Sequence, residues 1–211
     1  MKLKRRDIGL ILGGIMLLST VAFAFLSASQ NNYDTRNDNN QQPQLPQIGT
    51  WYGVPIFEQK LASNHSIYYV QIIPNYNIVL RADPRDAENV SSPNSNRVYS
   101  VIYTSKDVYA LFNPEESGNV SLAFTELSKI LNRMPLKVTY GTTKPYISNT
   151  TKTYVSKDPY NTTANETVIY LRLANKTDIS MVNNTIIVEG RDMWDLATAA
   201  TKLQLILLKL L

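Results

Sequence analysis

The chain has 211 residues, a formal net charge of +4 and no cysteine. That length suits one compact domain beside a tether, and the missing thiols exclude disulfides, thiolate metal sites, cysteine nucleophiles and a lipoprotein anchor. Residues 1–7 hold Lys2, Lys4, Arg5 and Arg6 against Asp7 alone, so the remainder is nearly neutral and offers no electrostatic case for a nucleic-acid partner.

The first predicted element is an apolar helix. Ile8 to Leu26 contains nineteen residues and no charge, and at about 1.5 Å rise each such a helix reaches roughly 28 Å, close to the hydrocarbon thickness of a bilayer. The cations before it favour a cytoplasmic N-terminus and place everything after Ala28 outside. Residues 1–29 therefore read as a basic tip and a transmembrane anchor, with residues 8–28 meeting the membrane. An uncleaved signal anchor is the first reading, because the run exceeds the ~7 to 15 residues of a secretory signal. A cleaved signal is the second, with Ser27, Ala28 and Ser29 before a cut at Gln30. The third is a twin-arginine export signal at Arg5 and Arg6, which Ile8 fits poorly, or an archaeal-type prepilin processed at Arg6–Asp7, which Asp7 fits poorly and which would make the chain a pilin-like filament subunit.

Residues 30–50 are rich in Asn, Gln and Asp with little to bury, and read as a disordered polar linker. Residues 51–211 then form one extracytoplasmic domain. Its first half predicts short strands at Tyr52 to Glu58, Ser66 to Ile73, Asn77 to Arg81 and Arg97 to Tyr103, with a polar loop from Ala82 to Asn96 and an extended or short helical piece from Val108 to Phe112. Val120, Phe124, Leu127 and Leu131 share one helical face, so an amphipathic helix is expected over 119–134, capped by Asn119 and stopped by Pro135.

Leu136 to Tyr140 reads as a strand, and about 25 polar residues follow as a surface loop. Thr167 to Leu173 is a further strand. Ile179 to Val182 and Thr185 to Glu189 form a hairpin around Asn183 and Asn184, which tolerate positive φ. Gly190 ends it, Asp192 caps a helix over 192–211, and Asp195 favours its first turn. The apolar end of this helix, Leu203 to Leu211, is too short to span a membrane. It is either buried in the domain or a docking surface.

Twenty asparagines include eight Asn-x-Ser/Thr sequons, at Asn64, Asn89, Asn119, Asn149, Asn161, Asn165, Asn175 and Asn183, where the Ser and Thr content would give about three by chance. Such acceptors have meaning only outside a membrane, in agreement with the anchor; an Asn/Thr-rich composition is the alternative. The catalytic inventory is sparse. His65 is the only histidine, sits inside a sequon and is expected to be an exposed bystander. Asp83, Asp86, Glu88 and Asn89 gather oxygen ligands without a calcium-loop spacing and read as a solvated loop, and Glu115 and Glu116 as anions before a helix N-terminus. No phosphate loop, dinucleotide fingerprint or serine elbow occurs. No catalytic residue, metal or cofactor is expected, and the chain reads as a non-enzyme. The thirteen tyrosines fit a strand-rich domain first and a sugar- or protein-binding face second.

From Asn119 to Leu211 the order of elements, carried by Ile186, Ile187, Val188, Glu189, Gly190 and then Leu196, Ala199, Ala200 and Leu203, resembles the non-catalytic α+β domain of family 20 hexosaminidases and α-glucuronidases. The layout of the whole is similar to that of archaeal single-span surface proteins. No catalytic residue transfers with either resemblance. The expected architecture is α+β, with two amphipathic helices on one largely antiparallel sheet. The expected role is an accessory or structural subunit of an envelope or membrane complex, with other membrane proteins as partners; a carbohydrate-binding or carbohydrate-active module, meeting glycans, and a filament subunit are the alternatives.

Overall fold

The computed structural model describes residues 45–61, 65–73, 76–146 and 154–211. The expected anchor, and the linker up to residue 44, lie outside the described residues. Among those described, no helix is long and apolar enough to cross a membrane.

Residues 45–211 form one compact α+β unit, with two sheets and four helices among the described residues. The first sheet takes β1 (Gln47–Trp51), β2 (Val54–Lys60), β3 (Ser66–Ile73) and β4 (Tyr76–Leu80) in sequence order, antiparallel throughout. β1 occupies residues assigned above to the linker. Trp51 is buried and pairs Val54 across a turn in which Tyr52 and Gly53 both have positive φ, the backbone a two-residue hairpin requires.

Two helices follow where a loop and a strand were expected. α1 (Pro84–Glu88) starts on Asp83, whose carboxylate accepts the Arg85 amide, with Pro84 at the first helical position. α2 (Ser95–Thr104) replaces the strand predicted at Arg97 to Tyr103. Asn94 caps it, and Val98 and Ile102, one turn apart, both reach the core. The β-branched residues that suggested a strand are those that α2 buries.

The second sheet orders its strands β7-β6-β5-β8-β10-β9. It comprises β5 (Asp107–Phe112), β6 (Val138–Thr142), β7 (Val155–Ser156), β8 (Glu166–Leu173), β9 (Asp178–Val182) and β10 (Thr185–Gly190). Antiparallel pairing is confined here to β9 with β10; the other four pairings are parallel. The single, largely antiparallel sheet expected above is thus divided between an antiparallel four-stranded sheet and a mainly parallel six-stranded one. The reason lies in the connection: a 3-10 turn (Pro114–Glu116) and α3 (Ser117–Leu131) join β5 to β6, and a crossover of that length returns the chain parallel.

α3 begins earlier than predicted. Asn119 stands exposed inside its first turn rather than at the cap, and the helix ends at Leu131, short of Pro135. α4 (Met193–Leu207) does start on Asp192, which accepts the Trp194 and Asp195 amides at 2.8 and 2.9 Å.

α4 explains the apolar end of the sequence. Leu196, Ala199, Ala200, Leu203 and Ile206 pack with α3 and the six-stranded sheet in the main core. Leu205 turns the other way, into a second core with Trp51, Ile56, Val70, Ile78 and Leu80 of the four-stranded sheet and Ala87 of α1. Each fully buried leucine or isoleucine contributes about 2 kcal/mol of transfer free energy, so a helix that is buried all round serves both cores. The docking-surface reading of Leu203 to Leu211 gives way to burial within the domain.

Candidate functional site

The C-terminal ends of parallel strands, where the connections diverge to opposite sides, are where open α/β sheets present ligand sites. Here that point lies between β5, whose connection leads to β6, and β8 on its other side. After Phe112 the chain turns over Asn113, whose Oδ1 accepts the Glu115 amide, and enters α3. Glu116 takes the N-cap position without capping; its Oε2 accepts the Leu173 amide of β8 at 2.8 Å and ties the two diverging connections together. Glu115 lies outside, its carboxyl held below the usual glutamate range by the Lys144 ammonium at 2.7 Å.

A cleft of about 270 Å³ opens there between Phe112, Phe124, Tyr146 and Tyr154, with Ser117, Ser121 and Thr125 on the α3 side. Phe112 meets Phe124 edge to face at 4.9 Å and Tyr154 at 6.3 Å, while the Tyr146 and Tyr154 rings lie 5.9 Å apart. Aromatic faces beside hydroxyls can hold a sugar ring or a planar apolar group. Among the described residues, the lining is aromatic and hydroxyl side chains with Val120.

A second, polar cleft of about 220 Å³ is lined by His65, Tyr68, Arg81, Asp83, Asp86 and Trp194, among others. His65 is no exposed bystander. It is half-buried and stacks on Trp194 at 3.4 Å, joining β3 to the start of α4. Burial, with the Glu58 charge adding to it, raises the Tyr68 phenol.

The acidic group 83–89, expected as a solvated loop, is dispersed by α1. Asp83 is buried and spent on the cap and on the Arg85 guanidinium. Asp86 faces the polar cleft, while Glu88 accepts from the Trp51 indole at 3.1 Å and from the Tyr52 hydroxyl. Asn89 donates to the Arg85 carbonyl. Among the described residues no three His, Cys, Asp or Glu side chains are grouped to hold a metal ion.

Of the sequon asparagines, Asn64 and Asn149 lie outside the described residues. The other six, Asn89, Asn119, Asn161, Asn165, Asn175 and Asn183, are all exposed. Asn183 has φ 54° in the β9–β10 turn, as its sequence context suggested. Two sequon threonines also have packing roles: Thr167 donates to the Val101 carbonyl and Thr185 to that of Pro159, both from wholly buried positions.

The aromatic cleft was not visible in sequence, because Phe112, Phe124, Tyr146 and Tyr154 sit on three separate segments. Only Phe124, on the apolar face of the predicted helix but at its margin, gave a signal. Fold and clefts together define a two-sheet α+β domain with one aromatic and one polar cleft. No family model, curated protein or solved structure matches the chain.

Proposed function

We propose that the chain is a non-enzymatic, membrane-anchored component of the cell envelope. Residues 8–28 are its anchor, its N-terminus is cytoplasmic, and the α+β domain is displayed outside as an accessory or structural subunit of a membrane or surface complex. The observation that carries this reading is the exposure of all six described sequon asparagines, as glycan acceptors on the outer side require. The lack of any cysteine is consistent with a domain held by packing alone. Protease added to intact cells should remove the domain and spare an N-terminal tag. A domain left whole beside cleaved outward-facing controls overturns the reading. The subunit role predicts co-migration with other envelope proteins after mild detergent extraction, and a free monomer there refutes it.

The aromatic cleft favours a second reading, a carbohydrate-binding module. Residues 45–211 should then bind a defined set of sugars on a glycan array, with Phe124→Ala weakening binding at least tenfold. An array on which the unaltered domain binds nothing removes this alternative.

A further inference from the structure

Glycan transfer to an asparagine needs two groups of the acceptor at once. The Asn Nδ2 must reach the anomeric carbon of an oligosaccharide carried on a lipid phosphate, and the transferase must grip the Ser or Thr hydroxyl two residues on, which is why the sequon ends in one. An exposed asparagine therefore meets only half of the requirement.

Asn165 and Asn183 are exposed, yet the threonines that complete their sequons, Thr167 and Thr185, are wholly buried. Both stand on inner strands of the six-stranded sheet, β8 lying between β5 and β10, and β10 between β8 and β9. The Thr167 hydroxyl meets the Val101 carbonyl at 3.1 Å and the Ser105 hydroxyl at 2.5 Å, at the end of α2. Thr185 pairs with Val168, the neighbour of Thr167, and so points to the other face of the sheet; there its hydroxyl donates to the Pro159 carbonyl at 2.5 Å. The backbone is held as well. The Asn165 carbonyl accepts the Lys106 amide at 2.9 Å, and the Asn184 carbonyl accepts the Val168 amide at 3.1 Å. Neither hydroxyl can be presented without taking an inner strand out of the sheet, which is unfolding of the domain rather than fraying of a loop. Asn161 is the contrast: it and Thr163 are both exposed, in a stretch that is neither helix nor strand.

From this contrast we infer that Asn165 and Asn183 accept a glycan only before the domain folds, whereas Asn161 accepts one afterwards as well. The chemical step is the same at each. The Nδ2 bonds to the anomeric carbon, that carbon's bond to the phosphate oxygen breaks, the lipid phosphate leaves with the electron pair, and one amide proton passes to a base. A glycan at Asn165 or Asn183 then records that the transferase acted ahead of folding. In the cell this inference rests on the exported reading above.

The full chain, made in cells without N-glycosylation and purified in mild detergent, is incubated with a purified single-subunit oligosaccharyltransferase and its lipid-linked oligosaccharide, beside a tryptic digest of the same chain. Cleavage after Lys157 and Arg172 leaves Asn161 and Asn165 on one peptide, and cleavage after Lys176 and Arg191 leaves Asn183 on another. Fragmentation mass spectrometry reads the rate at each site. Relative to the digest, the fold should slow Asn165 and Asn183 by about tenfold or more and Asn161 by less than about threefold. Either of the two shielded sites modified in the folded chain at more than about a tenth of its digest rate overturns the inference, and so does an Asn161 slowed as much as they are. The exported reading is judged separately: native protein in which every sequon is bare sinks that reading and leaves these rate ratios untouched.

Discussion

Gly190→Ala should be among the most damaging single-methyl changes in this domain. Gly190 ends β10 with no positive φ, so its cost is purely one of space. A Cβ there overlaps the Leu196 nitrogen and Cα, and meets the Asp195 carbonyl carbon at 2.7 Å. Carbon atoms rest about 3.5 to 4.0 Å apart, so the first turn of α4 would have to retreat by roughly an ångström. It cannot do so alone, because the Asp192 cap and Leu196 fix that turn and the helix beyond it packs into two cores. Overpacking in cores typically costs ~1 to 3 kcal/mol, and a backbone neighbour puts this case near about 3 kcal/mol. At ~2 to 4 °C per kcal/mol for a domain of this size, thermal unfolding followed by circular dichroism should show a midpoint about 6 to 12 °C lower. Gly118→Ala is the control: nothing lies within 4 Å of its added methyl, and it sits in α3. It should be neutral or stabilising by up to about 1 kcal/mol. A Gly190→Ala midpoint within about 2 °C of the parent would refute the claim that α4 is locked against β10.

Glu126 is buried on α3 and takes Arg81 at 2.9 Å and Lys129 at 2.8 Å. Glu126→Ala should cost about 2 to 3 kcal/mol by urea unfolding, because Arg81 is left partly desolvated, whereas Lys129→Ala, at a half-exposed position, should cost under about 1 kcal/mol. Lys202 is buried with its ammonium on the Glu88 carbonyl at 2.9 Å; burial lowers its pKa, opposed by the Glu88 charge. The cationic form is therefore disfavoured in the fold, a penalty fully present below the lowered value and relieved as pH rises toward the ordinary lysine range. Lys202→Met should stabilise the domain at pH 7, and by less at pH 10; equal gains at both pH values would sink this account. Asp192→Ala should cost about 1 kcal/mol by loss of the α4 cap, and no change in urea midpoint would show the cap to be dispensable.

Elements set by local chemistry were legible in the chain. Asp192 announces α4, the Asn183–Asn184 pair its hairpin, and the spacing of Val120, Phe124, Leu127 and Leu131 the helix α3. Local propensity failed where burial decided. Val98, Tyr99, Val101 and Ile102 are good strand residues, yet Asn94 ahead of a Val98–Ile102 step of four was a helical signal that outranked them. The parallel sheet also left a trace: β8 and β10 are near-continuous apolar runs, the pattern of strands covered on both faces. What no local rule reveals is convergence. The stacking of His65 on Trp194, the dispersal of the 83–89 carboxylates and the meeting of Phe112 with Tyr154 depend on contacts between segments far apart in the chain.

The double role of α4 also bears on the order of assembly. Synthesis runs from the N-terminus, so β1–β4 emerge long before Leu205, the residue that fills their inner face. Until that helix appears, the early sheet has its apolar side uncovered, and neither half can reach its final packing alone. Arresting translation just before Met193 should therefore yield a nascent chain that proteases degrade throughout, rather than a protected N-terminal half.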